Sequence, residues 1–403
     1  MEASYMQESI NHRNKRKLII VLLVLCTFTA ATLLILSSLY KPVPLISVRG
    51  LDEQQAAMLT SYLSSGETGF DTEVELLFPE EADPGRTPDI LFQPKDYRLI
   101  SSPDNYRPLN PDAGSSMPRS ITRIGVIGEQ QIALPVALDH VEIAFRRDLF
   151  AANGLPVQDR ILSLSELESV LNRLIGSRFF PLVIAGGNDG ALLDFVSVLV
   201  LSLGGVEQYQ ELVRLAETQS SAEGLVSAHL GGGWSLSEAV TLLKEWEQQR
   251  ILHPDWASFS HEDVLEFAQR QLTGAVVMRL SQHRTWPLHV LRRWQSSPFP
   301  FKDPTKAGSG LITPVLIAAV PKDAARADEA VDIVPSLVSR DFQDTAVQSW
   351  RLAPVHSTAQ ALDRESGDLR FWAAASRELL PPLSDALSPQ AAAELVAQLR
   401  VVL

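Results

Sequence analysis

The sequence predicts an α/β protein whose body, divided between two lobes, follows a single N-terminal membrane-spanning helix. Three observations predict it. The run from Leu18 to Tyr40 is uncharged and apolar, long enough as a helix to cross roughly 30 Å of hydrocarbon. Beyond it, segments of strand periodicity alternate with segments of helix periodicity, the pattern of a mainly parallel sheet covered by helices. The chain has 403 residues at 45% hydrophobic content, enough to bury two cores.

Arg13, Lys15, Arg16 and Lys17 precede the apolar run, and Lys41 is followed by no basic residue until Arg49. Positive charge stays on the cytoplasmic side, so residues 1–17 read as a cytoplasmic tail, 18–40 as a transmembrane helix and 41–44 as a linker. Pro42 and Pro44 stop the helix and stiffen the exit. A cleaved signal peptide has a shorter apolar region and a small-residue cleavage site, which Leu36-Ser37-Ser38-Leu39 supplies poorly. Lipid modification of Cys26 would want a small residue before it, where Leu25 stands. All three alternatives place the body outside the cytoplasm.

A formal charge of −13 excludes a basic nucleic-acid footprint. The one cysteine excludes an intramolecular disulfide and a cysteine metal cluster. HExxH, GxSxG and CxxC are absent, so no cofactor, metal or catalytic residue is assigned and no enzymatic activity is expected. His140 with Glu142, and His261 with Glu262 and Asp263, lie close in sequence but at spacings that converge poorly on a metal.

Along the body, Ile46–Val48 reads as a strand and 51–64 as a helix with Ala56, Leu59 and Leu63 on one face. Val74, Leu76 and Phe78 alternate as a half-buried strand over 72–78, and Ile90-Leu91-Phe92 reads as another. Residues 97–119 are irregular, and 131–144 extended. A strand over 181–185 enters Gly186-Gly187-Asn188-Asp189 and then a helix to Leu203, capped by Asn188 or Asp189. The glycines read as a tight turn; neither the lysine of a phosphate loop nor a dinucleotide spacing is present. Helices follow over 237–249 and 261–271, strands over 275–278 and 311–320, and a helix over 324–338. Ser388 caps the last helix, with Pro389 at its first position.

Several of these segments resemble, in order, bacterial extracellular solute-binding proteins of the maltose-binding type. Ile132-Ala133-Leu134-Pro135-Val136-Ala137-Leu138-Asp139, continuing to Phe145-Arg146-Arg147-Asp148-Leu149-Phe150-Ala151-Ala152-Asn153-Gly154-Leu155-Pro156, is similar to a core motif of that family. Pro88-Asp89-Ile90, Gly204-Gly205, Gly274–Met278 followed by Trp286, and Arg351–Val355 are similar to later landmarks. The interval from Phe78 to Pro88 is too short for a helix the family usually has there, and Ala144-Phe145-Arg146 stands where Tyr and Asn are common.

The resemblance implies the two-lobed periplasmic-binding-protein type II, or Venus-flytrap, fold. Lobe 1 would take residues 45–138 and 310–349, and lobe 2 residues 139–309 and 350–403, with crossings near Leu138, Ser309 and Trp350. It implies a ligand in the cleft, a carbohydrate first, contacted by Gln93, Asp96, Asp139, Asn188, Asp189, Arg284, Trp286 and Trp372. It also implies capture by hinge closure for the permease of an ABC importer, at a bacterial membrane, with the bilayer contacted through residues 18–40. The alternative is a non-transport sensor or interaction subunit on the same fold.

Overall fold

The computed structural model describes residues 43–403 except 65–69, 71–72, 79–85, 97–98, 100, 154–162, 177–178, 219–223 and 348, together with 27 and 29. The expected tail, most of the expected membrane helix and the start of the linker lie outside the described residues. Among the described residues no helix is long and apolar enough to cross a membrane. Pro44–Leu403 forms one compact unit.

The chain lays down β1 (Leu45–Val48), α1 (Glu53–Leu63), β2 (Glu75–Leu77) and β3 (Ile90–Pro94). α1 starts on a reciprocal cap: Asp52 accepts from the Gln55 amide at 2.8 Å, and Gln55 accepts from the Asp52 amide at 2.9 Å. β2 and β3 flank β1, both parallel to it, as the alternation predicts. A small hairpin of β4 (Val126–Ile127) and β5 (Gln130–Gln131) leads into β6 (Ala133–Leu138). β6 is buried along its whole length.

After β6 the chain crosses to a second sheet. This holds β7 (Val141–Arg146), β8 (Phe180–Ile184), β9 (Thr273–Arg279) and β10 (Trp294–Pro298) in the order β10-β7-β9-β8. Between β8 and β9 runs α2 (Asp189–Leu203), apolar on nearly every side and buried from Leu192 to Ser202, as a helix enclosed by a core must be. Asn188 caps it, accepting from the Ala191 amide at 3.0 Å.

The expected strand over 311–320 is two strands. β11 (Gly310–Ile312) turns through Thr313-Pro314 into β12 (Val315–Ala319). β12 lies between β3 and β6, antiparallel to both, and β13 (Ala353–Pro354) is antiparallel to β6 at the sheet edge. The six-stranded sheet is therefore mixed, not mainly parallel. Periodicity marks a strand but not its direction, and a chain returning from the other lobe enters from the opposite end. α3 (Arg364–Ala375), β14 (Glu378–Leu380) and α4 (Pro389–Val402) complete the chain. Ser388 caps α4 as expected, accepting from the Ala391 amide at 3.3 Å.

Two large cores result. One gathers around Ile46, Phe92, Val136 and Ile317, the other around Ile143, Phe195, Trp246 and Leu395. The last crossing comes later than expected. Trp350, Ala353 and Leu369 belong to the first core, so residues 350–375 do not join the second lobe. The crossing is made where β11 and β14 pair in parallel, Leu311 opposite Leu379 and Ile312 opposite Leu380. Leu311 and Leu379 enter the first core, Ile312 and Leu380 the second. Alternation along two paired strands thus places one row of side chains in each core.

Gly186 and Gly187 owe their identity to close approach. A Cβ on Gly186 would stand 2.5 Å from the ring of Trp256, and one on Gly187 2.5 Å from the Ser258 carbonyl oxygen. The Gly187 amide donates to the Phe259 carbonyl at 2.9 Å, pinning the loop. Gly187→Ala is expected to cost about 1–3 kcal/mol of stability through overpacking. A urea midpoint equal to that of the parent would contradict this.

Candidate binding cleft

The sheets bring strand ends and connections together. Gly50 after β1, Pro94 ending β3, Asp139 on the first crossing, Arg279 ending β9 and Pro314 before β12 border one cleft of about 270 Å³. Asp52, Gln55, Gln282, Trp350 and Arg351 complete much of its wall.

Asp139 is buried, with 8% of its surface exposed. It accepts from the His140 amide at 2.8 Å and from the Ser281 amide and hydroxyl at 3.0 and 2.5 Å. Burial pushes its carboxyl above the usual range, against the pull of Arg279 and these hydrogen bonds. The crossing is thereby tied to the turn after β9.

Arg279 anchors the floor. Its Nε and one terminal nitrogen grip Asp194 on α2 at 2.6 and 3.1 Å. The same terminal nitrogen donates to the Ser384 hydroxyl at 2.8 Å and lies 3.3 Å from Asp385. Burial would pull this guanidinium down; Asp194 and Asp385 overcome that, and it stays charged. Burial pushes Asp385 up to about 6, although Arg279 opposes it; Asp194 adds repulsion. Because Arg279 is saturated by two carboxylates and a hydroxyl, it has little left for a ligand carboxylate. The floor instead carries an excess of acceptors, suited to hydroxyl donors. Among the described residues no group of His, Cys, Asp or Glu could hold a metal.

Of the predicted contacts, the structure brings Asp139 into the cleft. Gln93 and Asp96 bracket Pro94, but Gln93 is a half-buried strand position opposite Ile317, and Asp96 pairs with Arg49 at 3.5 Å. Asn188 is spent on the α2 cap and Asp189 on Arg400 at 2.6 Å. Arg284 is buried and donates to the Arg351 carbonyl, Asp363 and Ser366, tying the turn after β9 to the start of α3. Trp286 is buried, edge-on to His283 at 4.7 Å and to Trp294 at 5.3 Å. Trp372 is half-buried, 5.7 Å from His140, and lines a separate cavity of about 60 Å³ with Leu311 and Phe299. Arg284 and the two tryptophans are therefore packing and bridging residues: a large ring or a guanidinium next to a core lowers its free energy most by entering it.

Sequence reasoning missed Arg279, Asp194, Asp385, Asp52 and Gln282. Arg279 directly follows the Gly274–Met278 segment, so its place at a strand end was readable. Its partners were not, lying 85 and 106 residues away.

No family model matches the chain, and no curated protein matches it. Solved structures do match in fold. The bacterial solute receptor AcbH, described as having an exclusive preference for β-D-galactopyranose, superposes with a TM-score of 0.75 at 12% identity, over 89% of this chain and 91% of that one. The binding protein MsmE of Bacillus subtilis, in an open conformation, gives 0.67 at 12% identity, over 90% and 95%. T. maritima MalE3 with bound maltose gives 0.61 at 13%, over 90% and 99%. At these identities the likeness is one of fold: the chain has the two-lobed architecture of bacterial sugar-binding receptors.

Proposed function

We propose that this protein is an extracytoplasmic solute-binding protein, tethered by residues 18–40, that captures a small neutral polyhydroxyl solute for the permease of an ABC importer. The observation that carries the reading is the cleft itself. It lies at strand ends between two cores, beside the Asp139 crossing, in a fold shared with sugar receptors over 89% of the chain. A carbohydrate fits its chemistry because Asp139 and Asp52 supply acceptors while Arg279 is already neutralised. Ligand binding would favour closure through contacts made to both lobes at once. The bilayer and the permease are the partners this reading requires, and it needs no cofactor.

Gln282 is the side chain best placed to report on a ligand. It is half-exposed on the cleft wall, and its side-chain amide has no hydrogen-bond partner among the described residues. Gln282→Ala is expected to weaken solute binding by about tenfold, or ~1.4 kcal/mol, with an unchanged melting temperature in the absence of solute. The solute itself comes from a thermal-shift screen of the purified protein against mono- and oligosaccharides, polyols, amino acids and carboxylates. A ligand at a hundred times its dissociation constant stabilises by about 2.7 kcal/mol. A carbohydrate hit lost in Gln282→Ala supports the reading; a hit unaffected by that substitution refutes the cleft as the site.

One observation favours a second reading. Among the described residues lining the cleft the only aromatic ring is that of Trp350, which is 1% exposed and sits in the first core. A cleft without a stacking platform also suits a non-transport sensor or interaction subunit built on the same fold. A well-folded protein that responds to no solute in the screen selects this second reading.

A further inference from the structure

Arg351 stands on the cleft wall two residues before β13 and is exposed there. Its φ is 60°, in the left-handed region that favours glycine. Among the described residues two other non-glycine residues share that backbone, Arg250 and Gln271, and each stands one residue past the cap closing a helix, outside the cleft. The Arg250 side chain is used locally: it lies over the Phe180 ring at 5.6 Å and donates to the Gly176 carbonyl at 3.4 Å. The Arg351 guanidinium has no hydrogen bond or ion pair among the described residues. Its backbone is nevertheless fixed from three sides. Gln55 Nε2 donates to the Trp350 carbonyl at 3.0 Å, Trp350 Nε1 donates to the Gln55 carbonyl at 3.2 Å, and Arg284, from the turn after β9, donates to the Arg351 carbonyl at 2.5 Å. A sparsely populated φ persists where its surroundings over-determine it. Here they hold an arginine, and not a glycine, in the cleft wall.

The other donors of the wall are committed. The Gln55 side chain accepts from the Asp52 amide and donates to Trp350. Ser281 donates to Asp139, Thr285 donates to the Gln282 carbonyl, and Arg279 is saturated by Asp194, Ser384 and Asp385. Among the described residues lining the cleft, two side chains keep their whole set of donors. One is Arg351, next to Trp350 of the first core; the other is Gln282, on the turn after β9 of the second sheet. They approach the cleft from different lobes. Asp52 and Asp139 line the same cleft, and Asp194 and Asp385 close on Arg279. Two arginines against four carboxyl groups leave no surplus of positive charge for an anion, even with Asp139 and Asp385 held protonated by burial.

We infer that Arg351 is the specificity-determining residue of the cleft, its guanidinium donating to two adjacent oxygens of the solute, as a vicinal diol presents them. The inference rests on the reading of the cleft as a carbohydrate site and adds the group that chooses among carbohydrates. A guanidinium offers five N–H donors in a fixed plane. Two parallel bonds from it need two oxygens at matching spacing, so a sugar that lacks either one, or disposes them differently, leaves a donor unsatisfied. Gln282 meets the same solute from the other lobe. The backbone supplies an independent check. At a φ that suits glycine, removing the side chain relieves the chain and takes away only what the side chain does for the ligand.

The test is isothermal titration of the purified protein with the saccharides of the thermal-shift screen, D-galactose and maltose first, and with D-galacturonate as an anionic counterpart. Arg351→Gly should weaken the sugar that the parent binds by at least about tenfold, with a melting temperature in the absence of solute equal to or above that of the parent. Arg351→Lys keeps the charge and loses the planar pair of donors, so it should bind as weakly as Arg351→Gly. Analogues of the bound sugar that each lack one hydroxyl should reveal two neighbouring positions that matter to the parent and no longer matter to Arg351→Gly. Undiminished binding in Arg351→Gly, or full binding in Arg351→Lys, overturns this inference and leaves the carbohydrate reading standing. A melting temperature of Arg351→Gly well below that of the parent makes Arg351 a structural residue and overturns it as well, as does tighter binding of D-galacturonate than of D-galactose. No saccharide binding to the parent ends the carbohydrate reading, and this inference with it.

Discussion

Arg279→Met is expected to destabilise the folded protein by about 3–5 kcal/mol, the cost of removing one partner from a buried ion group. The Arg279 side chain is 19% exposed, and those of Asp194 and Asp385 are 6% and 14% exposed. Without the guanidinium, two carboxylates face each other with no cation between them, and a third, Asp139, loses the charge that opposes its burial. Methionine fills the aliphatic volume, so the loss is electrostatic and not a cavity. Two further measurements isolate this cause. Adding Asp194→Asn should restore a large part of the loss, because the repulsion disappears with the charge. Lowering the pH from alkaline values towards about 6 should also narrow the gap to the parent, because the loss of Arg279, which holds the Asp385 carboxyl down, lets it take up its proton at a higher pH than in the parent. A deficit that is the same at all pH values, or is not relieved by Asp194→Asn, would assign the effect to packing. The same substitution should weaken any solute that rests on Asp139, because Arg279 holds the floor against which that carboxylate is placed.

The second large effect is a pair of opposed pH dependences. His140 is buried beside the crossing, and burial lowers its pKa from 6.5 to about 4, although Glu142 and the Ile312 carbonyl favour the proton. Between those values the unfolded chain binds a proton that the folded chain refuses, so stability falls as pH drops from about 6.5 to 4. The shift is equivalent to about 3 kcal/mol. Asp385 acts the other way. Burial raises its pKa from 3.8 to about 6, with Arg279 and Arg49 opposing and Asp194 reinforcing. The folded chain then holds a proton the unfolded chain has lost, and stability falls as pH rises through that window, again by about 3 kcal/mol. The windows nearly coincide, so in the parent the two contributions offset one another. His140→Asn should unmask Asp385 and give a protein that gains stability in acid relative to the parent. Asp385→Asn should unmask His140 and steepen the acid loss. Urea midpoints between about pH 4 and 6.5, each compared with the parent at the same pH, decide it. Parallel curves for parent and variants would mean that neither group changes its proton affinity on folding.

Much of the scaffold was legible because it depends on neighbours in sequence. The run Ile46–Val48 forms a strand because branched apolar residues fit a pleated surface, and Asn188 and Ser388 cap helices because their side chains reach amides three residues on. The two-lobed α/β architecture and its likeness to sugar receptors were readable from the order of such segments. β6, which ends at Leu138, and β7 are consecutive in the chain and lie in different sheets.

What stayed hidden was decided by contacts across long separations. Two glycines before a helix read as a turn, but close approach of Trp256 and Ser258 is what requires them. Leu311–Val320 reads as one apolar strand, yet pairing with β14 takes its first part into a ribbon between the cores. Trp286 and Trp372 have the composition of sugar platforms, and packing assigns them elsewhere, because a ring gains more from an adjoining core than from an open cleft. Arg284 has the composition of a ligand contact and serves as a bridge to α3. Arg279 reads as one more strand-end arginine until Asp194 and Asp385 close around it from two other helices. The sequence by itself determined the elements, their order and the class of fold, since propensity, capping and periodicity act over a few residues. The tertiary structure alone decided strand direction, the last crossing and the identity of the cleft residues. Each of those is set by which distant groups share a buried, low-dielectric space, and one chain read in order does not carry that information.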